Sequence, residues 1–247
     1  DLHTAYRRQR QMCIRDRNNA TVTIIGDIDK NNTLNLVNEY FGQHSKSTHD
    51  IPYMYTEEPD QEGERRITVN RNGQTDIVAV AHKTPPGLNK DTYSFHLLSK
   101  ILADGKSSRF QKALIDPGLA TSLFMYDFPF KDNGLFISYA FLNPGENHKN
   151  IEEIILNTYK EIIDNGISDD ELQRAKAQTK ASVAFSRDGS YAVASAINEA
   201  LAIGDWTFYT TFIKKINSVT KNDIKSVANK YLIDNKKTTG WFVSNNN

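Results

Sequence analysis

Apolar residues change their spacing along this chain, and the change separates strands from helices. β-Branched residues cluster over 21–25 ahead of Gly26-Asp27, which predicts a buried strand leaving through a turn. Asp29 or Asn31 then caps a helix whose apolar positions are Leu34, Val37, Tyr40 and Phe41, stopped by Gly42. Residues 43–64 lose the pattern, hold Pro52 and Pro59 with Glu57-Glu58, and read as a linker between two modules. Strands follow over 66–69 and 76–81, with Asn72-Gly73 placed as a hairpin turn between them, and Thr84-Pro85-Pro86-Gly87 breaks the chain.

A helix from Asp91 places Leu97, Leu98, Ile101 and Leu102 on one face. A turn at Gly105-Lys106-Ser107-Ser108 leads to a short helix with Phe110, Ala113 and Leu114, closed near Pro117-Gly118. Two more strands, over 122–128 and 135–141, flank a polar turn at Lys131-Asp132-Asn133-Gly134. The remainder is mostly helical. Ile151, Ile154, Ile155, Tyr159, Ile162 and Ile163 form one stripe ending before Gly166, and Ser168 with Glu171 makes a capping box for a helix through Leu172, Ala175 and Thr179. An alanine-rich segment over 191–203 follows Gly189. Thr220 and Asp223 open a helix with Ile224, Val227, Ala228 and Tyr231, and the last strand covers 239–243. Hairpins first and helices in runs predict an α+β fold with a mixed, mostly antiparallel sheet packed on helices.

Charge and composition narrow the chemistry. The 247 residues carry 30 basic and 30 acidic side chains, so no net field draws the chain to nucleic acid. The longest apolar run, Ile77 to Ala81, is too short to span a bilayer. Cys13 is the single cysteine and excludes an internal disulfide. It sits in Met12-Cys13-Ile14-Arg15-Asp16-Arg17, which follows neither period and is similar to a translated sequencing-library adaptor; on that reading residues 1–17 are foreign to the native chain.

None of His3, His44, His49, His82, His96 and His148 lies three or four residues from another, so no helix turn presents two imidazoles to zinc. Gly105-Lys106-Ser107 imitates the end of a phosphate-binding loop, but Lys100 stands where that motif needs its first glycine. A tight turn with Ser107 or Ser108 capping the next helix is the better reading. No nucleophile elbow or paired carboxylate stands out, and Trp206 and Trp241 read as core or domain-contact residues.

Several motifs in order and spacing resemble the pitrilysin/insulinase zinc metallopeptidases. Ile24-Ile25-Gly26-Asp27-Ile28-Asp29 and Tyr40-Phe41-Gly42 are similar to the end of that family's first domain, and Glu62-Gly63-Glu64-Arg65-Arg66 to the entry into its second. Ala81-His82-Lys83-Thr84-Pro85, the run from Ile101 to Phe110, Glu171-Leu172-Gln173-Arg174-Ala175-Lys176 and Gly204-Asp205-Trp206 extend the match. The resemblance implies that residues 1–50 are the tail of a catalytic-type first domain, 51–64 a linker and 65–247 an inactive second domain. It also implies a fold of the mitochondrial-processing-peptidase type, whose homologous domains enclose a peptide.

Zinc in such proteins is held by an inverted H-x-x-E-H motif upstream of residue 18, so zinc belongs to the full-length protein and this chain carries none. Partner domains of the family contribute an arginine and a tyrosine to the reaction centre. Here Ile115 or Asp116 and Thr121 stand at those places, so the resemblance implies no catalytic residue in this chain. It does imply peptide contact at Gly105, Lys106 and Ser107, with Leu123, Phe124, Met125 and Tyr126 opposite. The implied partners are a peptide substrate, an upstream catalytic domain and a homologous second half, with a bacterial periplasmic or envelope setting. The alternative is a non-catalytic scaffold or peptide-binding subunit of a heteromeric relative.

Overall fold

Alternation of apolar residues over 77–82 and 135–142 is the signal that organises the sheet, because it gives each strand one face to bury. The computed structural model describes residues 16–48, 51 and 59–245. The strands are β1 (Arg65–Arg71), β2 (Ile77–Pro86), β3 (Ala120–Phe128), β4 (Asn133–Leu142) and β5 (Lys237–Ser244). The helices are α1 (Lys30–Phe41), α2 (Asp91–Ala103), α3 (His148–Asn165), α4 (Asp169–Phe185), α5 (Ser190–Ile203), α6 (Thr207–Ser218) and α7 (Lys221–Tyr231). One sheet of order β1-β5-β2-β4-β3 results, parallel only between β1 and β5. The α+β class and the mixed, mostly antiparallel sheet on helices read from the sequence are the ones observed.

The chain divides into two compact units, one of residues 1–59 with 188–195 and the other of 60–187 with 196–247. In the first, Asp29 caps α1 by accepting from the Asn32 amide at 2.7 Å, and Gly42 closes it. No residue of α1 is buried, and Leu34, Tyr40 and Phe41 are at least half exposed. The strand expected over 21–25 is absent among the described residues. β-Branched residues favour a strand where one face can be buried, and here Val22 and Ile24 remain exposed. Cys13, His3, His49, Pro52 and Glu57-Glu58 lie outside the described residues.

The larger unit holds the core. Val78, Val80, Phe136, Ala140 and Leu142 point from β2 and β4 toward Phe95, Leu98, Ile101 and Leu102 of α2 and Ile151, Ile155, Tyr159 and Ile162 of α3, all 2% exposed or less. Both capping boxes are formed, Ser168 with Glu171 and Thr220 with Asp223. Gly166 closes α3 at φ 75°, a conformation open to glycine at little cost. The sequence pattern missed α6, whose Thr207, Thr210, Thr211, Ile213 and Ile216 are β-branched and weak helix formers. Tertiary contact overrides that preference: Phe208 and Phe212 of α6 pack on Tyr93 with ring centroids 5.6 and 5.9 Å away.

The hairpin expected at Asn72-Gly73 does not form. β5 enters between β1 and β2, pairing Val69 with Phe242 on one side and Val78 with Trp241 on the other. A two-residue turn crosses one strand spacing, whereas residues 72–76 cross two, over the end of β5. Asp76 accepts from the Ser244 amide at 2.7 Å and Arg71 from the Asn245 amide at 2.9 Å, and Gly73 lies so close to the Phe242 ring that a Cβ would meet it at 2.7 Å.

Glu152 of α3 locks β5 into this place. Its carboxylate is almost fully buried, accepts from Trp241 Nε1 at 2.9 Å, and is paired with the Arg66 guanidinium on β1. One group thus ties three elements together. Glu152→Ala strands the Trp241 donor, at a cost of about 1–3 kcal/mol, while the half-exposed Arg66 keeps Glu64 and water; Glu152→Gln costs less because it still accepts from Trp241. Urea denaturation of the two variants checks this order.

Candidate functional site

Among the described residues β1 and β3 lie at the edges of the sheet, and no described strand pairs with β3 on the side away from β4, where a row of backbone amides and carbonyls faces outward. Its register with β4 puts Leu123, Met125 and Asp127 on the helix-covered face, opposite Ala140, Ser138 and Phe136. Phe124 and Tyr126 point the other way, are 48% and 43% exposed, and meet Phe141 and Tyr139 edge-on at 5.8 and 5.7 Å. The Tyr126, Phe128 and Phe130 rings stack in a row at 5.4 and 5.9 Å. The strand begins at a register shift around Thr121, whose hydroxyl donates to the Phe141 carbonyl at 3.2 Å.

Gly105, Lys106 and Ser107 form an exposed turn between α2 and a π-helical turn (Gln111–Ile115). Gly105 has φ 81°, and a Cβ there would also stand 3.1 Å from Gln178 Nε2. Lys100 holds Asp104 at 2.8 Å, and Gln178 Nε2 donates to the Asp104 carbonyl at 3.3 Å. On the far side, Arg109 donates to both oxygens of Glu171, at 2.8 and 3.1 Å, and to the Gly166 carbonyl. Burial pushes the Glu171 carboxyl up, but the Arg109 guanidinium and the Ser168 amide outweigh it and leave it below the ordinary range. Arg109 is therefore a fastener of the turn. Neither serine caps the next helix as expected: Phe110 stands at its N-cap with no side-chain cap bond, and Ser108 is fully buried with its Oγ unpartnered.

Between the turn and the strand lies a cavity of about 230 Å³, lined by Ala103, Phe110, Gln111, Ile115, Thr121, Ser122, Leu123 and Phe124. It brings Leu123 and Phe124 together with the flanks of the turn. Gly105, Lys106 and Ser107 do not line it, and Met125 and Tyr126 lie farther along the strand. Thr121, where the family resemblance implies a missing tyrosine, shares this cavity with Ile115, one of the two positions (the other is Asp116) where it implies a missing arginine. Ala103 and Phe110 went unread as site residues, because their apolar character marks them only as helix core. A second cavity, of about 510 Å³, is lined by Arg109, Lys112, Thr158, Glu161, Asn165 and Glu171 among others and is by contrast charged.

A sequence profile of the peptidase M16 inactive domain matches residues 14–179. The chain belongs to the peptidase M16 family. This is the pitrilysin-type zinc peptidase family that its motifs resemble, and the chain is an inactive domain of such a protein. It is 28% identical to the zinc protease PqqE of Helicobacter pylori over 225 residues, covering 90% of this chain and 50% of the relative. A crystal structure of a protease from Helicobacter pylori superposes with a TM-score of 0.82 at 27% identity, over 89% of this chain and 54% of that one. The β subunit of the mitochondrial-processing peptidase of Saccharomyces cerevisiae is 34% identical over 120 residues, 48% of this chain and 26% of the subunit. The chain thus spans about half the length of its Helicobacter relative.

Among the described residues no three His, Cys, Asp or Glu side chains gather as a metal site. Burial drives His82 and His96 down to about 4, with Lys237 and Lys100 adding repulsion, and each imidazole meets an aromatic ring edge-on, Tyr159 and Phe212 respectively. Both are neutral structural histidines. No helix among the described residues is long and apolar enough to cross a membrane.

Asp127, at the far end of β3, is the anomalous titrating group of this region. Burial pushes its carboxyl up from 3.8 to about 7. A folded-state value above the unfolded one means that the folded chain holds the proton more tightly. Stability from this group is therefore full below about pH 4 and is lost as pH rises through 7. Asp127→Asn is expected to raise the urea midpoint at pH 8 and to leave it unchanged at pH 3.5, and a gain of equal size at both values would contradict the assignment.

Proposed function

We infer that this chain is the non-catalytic, substrate-enclosing part of a zinc-dependent metalloendopeptidase that degrades peptides. The observation that carries the reading is the free edge of β3 beside a cavity, in a chain matched to the inactive domain of a peptidase family. An extended peptide laid along β3 gains main-chain hydrogen bonds from backbone groups that otherwise face solvent, and its alternate side chains fall on the two faces of the sheet. One set meets Phe124 and Tyr126; the other lies next to Leu123 and Met125. In this reading the turn at Gly105, Lys106 and Ser107 holds one end of the groove, its shape fixed by Gln178 and Arg109. Zinc and its general base are supplied by a catalytic domain outside these residues, and a homologous half closes over the peptide.

A second reading has one observation in its favour, the similarity to a subunit of a processing peptidase. There the chain serves as a scaffold or peptide-binding subunit of a heteromer. An H-x-x-E-H motif in the same reading frame upstream supports the first reading, and its absence supports the second.

Leu123→Glu and Met125→Glu, made in the full-length protein, place charge along the strand edge without touching a zinc ligand. The expected result is a KM for long peptides raised about tenfold or more, with folding intact by circular dichroism. An unchanged KM in both folded variants would sink peptide contact at β3.

A further inference from the structure

The cavity at the start of β3 has a composition that the strand edge alone does not require. Its lining holds no charged side chain: five residues are apolar (Ala103, Phe110, Ile115, Leu123 and Phe124) and the other three are neutral. The neighbouring cavity around Arg109, Lys112, Glu161 and Glu171 shows that charge is available a few residues away. Leu123 and Ile115 are both partly buried against the core, so the cavity reaches from the strand edge down to packed apolar surface.

Geometry fixes which part of a peptide would enter. A residue of an added strand lying beside Leu123 shares its face. That is the helix-covered face, where Leu123 stands opposite the buried Ala140. Ala103, Phe110 and Ile115 form the wall on this side. The register shift at Thr121 bends the start of the strand, and polar atoms, those of Gln111, Thr121 and Ser122 among them, make up about half of the exposed lining, which is therefore uncharged rather than wholly apolar.

We propose that this cavity is a side-chain subsite that selects one large, uncharged apolar residue of the bound peptide. The proposal rests on the strand-addition reading above. A Leu or Phe side chain fills the space and is removed from water, whereas Lys, Asp or Glu brings a charge to a lining with no counter-charge. Ile115 is the residue that sets the depth of the subsite, since it forms the wall across from the strand.

The test uses the full chain and fluorescein-labelled nonapeptides of alternating Thr and Ser, carrying one guest residue moved through each position in turn. Fluorescence anisotropy is expected to find one register at which Leu or Phe binds about tenfold or more tightly than Lys or Asp. Ile115→Ala is expected to move the preference from Leu to Phe, and Ile115→Arg to abolish it, with folding of each checked by its thermal transition. Equal affinities for Leu, Ala and Lys guests at every register would overturn the subsite. If backbone N-methylation of those equally bound peptides still removes binding, strand addition survives and only the subsite fails. If no guest peptide binds, both fail.

Discussion

β5 lies between β1 and β2, and that placement determines which strand edges the molecule leaves unpaired. With β5 in the gap, β2 and β4 are paired on both sides, and β3 becomes a half-paired outer strand. The arrangement depends on a residue far away in sequence. Glu152 accepts from Trp241 on β5 and pairs with Arg66 on β1, so a single buried carboxylate registers the last strand of the domain against its first. Backbone hydrogen bonds make the sheet possible in many orders; this ion pair and the loop over 72–76 select one of them.

The consequences reach the candidate site through packing. β4 is held on both sides, so its buried Phe136 and Ala140 form a fixed floor under α2 and its backbone a fixed neighbour for β3. The turn after α2 is then fastened at both ends to α4, by Gln178 on Asp104 and by Glu171 on Arg109. Between these two rigid pieces the cavity at Ile115 and Thr121 stays open. Where the family resemblance implies an arginine and a tyrosine, this chain has Ile115 or Asp116 and Thr121.

The sequence made the local devices readable. Ser168 with Glu171, and Thr220 with Asp223, announce helix starts because a capping box is complete within four residues. The stripes of α2 and α3 are readable for the same reason. What failed was non-local. Asn72-Gly73 looks like a hairpin turn until a strand from the other end of the chain intervenes, and residues 21–25 look like a strand although their apolar side chains stay exposed. Helix α6 is hidden by its threonines and isoleucines and stands because Phe208 and Phe212 meet Tyr93. At the site, Leu123 and Phe124 were legible as strand residues, and only the family resemblance implied that their strand is an edge. Ala103, Phe110 and Ile115 were not, since facing an edge strand is a property of the assembled fold.

The central claim is that the free edge of β3 accepts a peptide backbone. Amide hydrogen exchange followed with and without a saturating extended peptide tests it most directly. The account predicts added protection at alternate amides of residues 121–127, those facing away from β4, with no change in the central strands β2 and β4. Protection confined to other surfaces, with β3 exchanging as before, would contradict it.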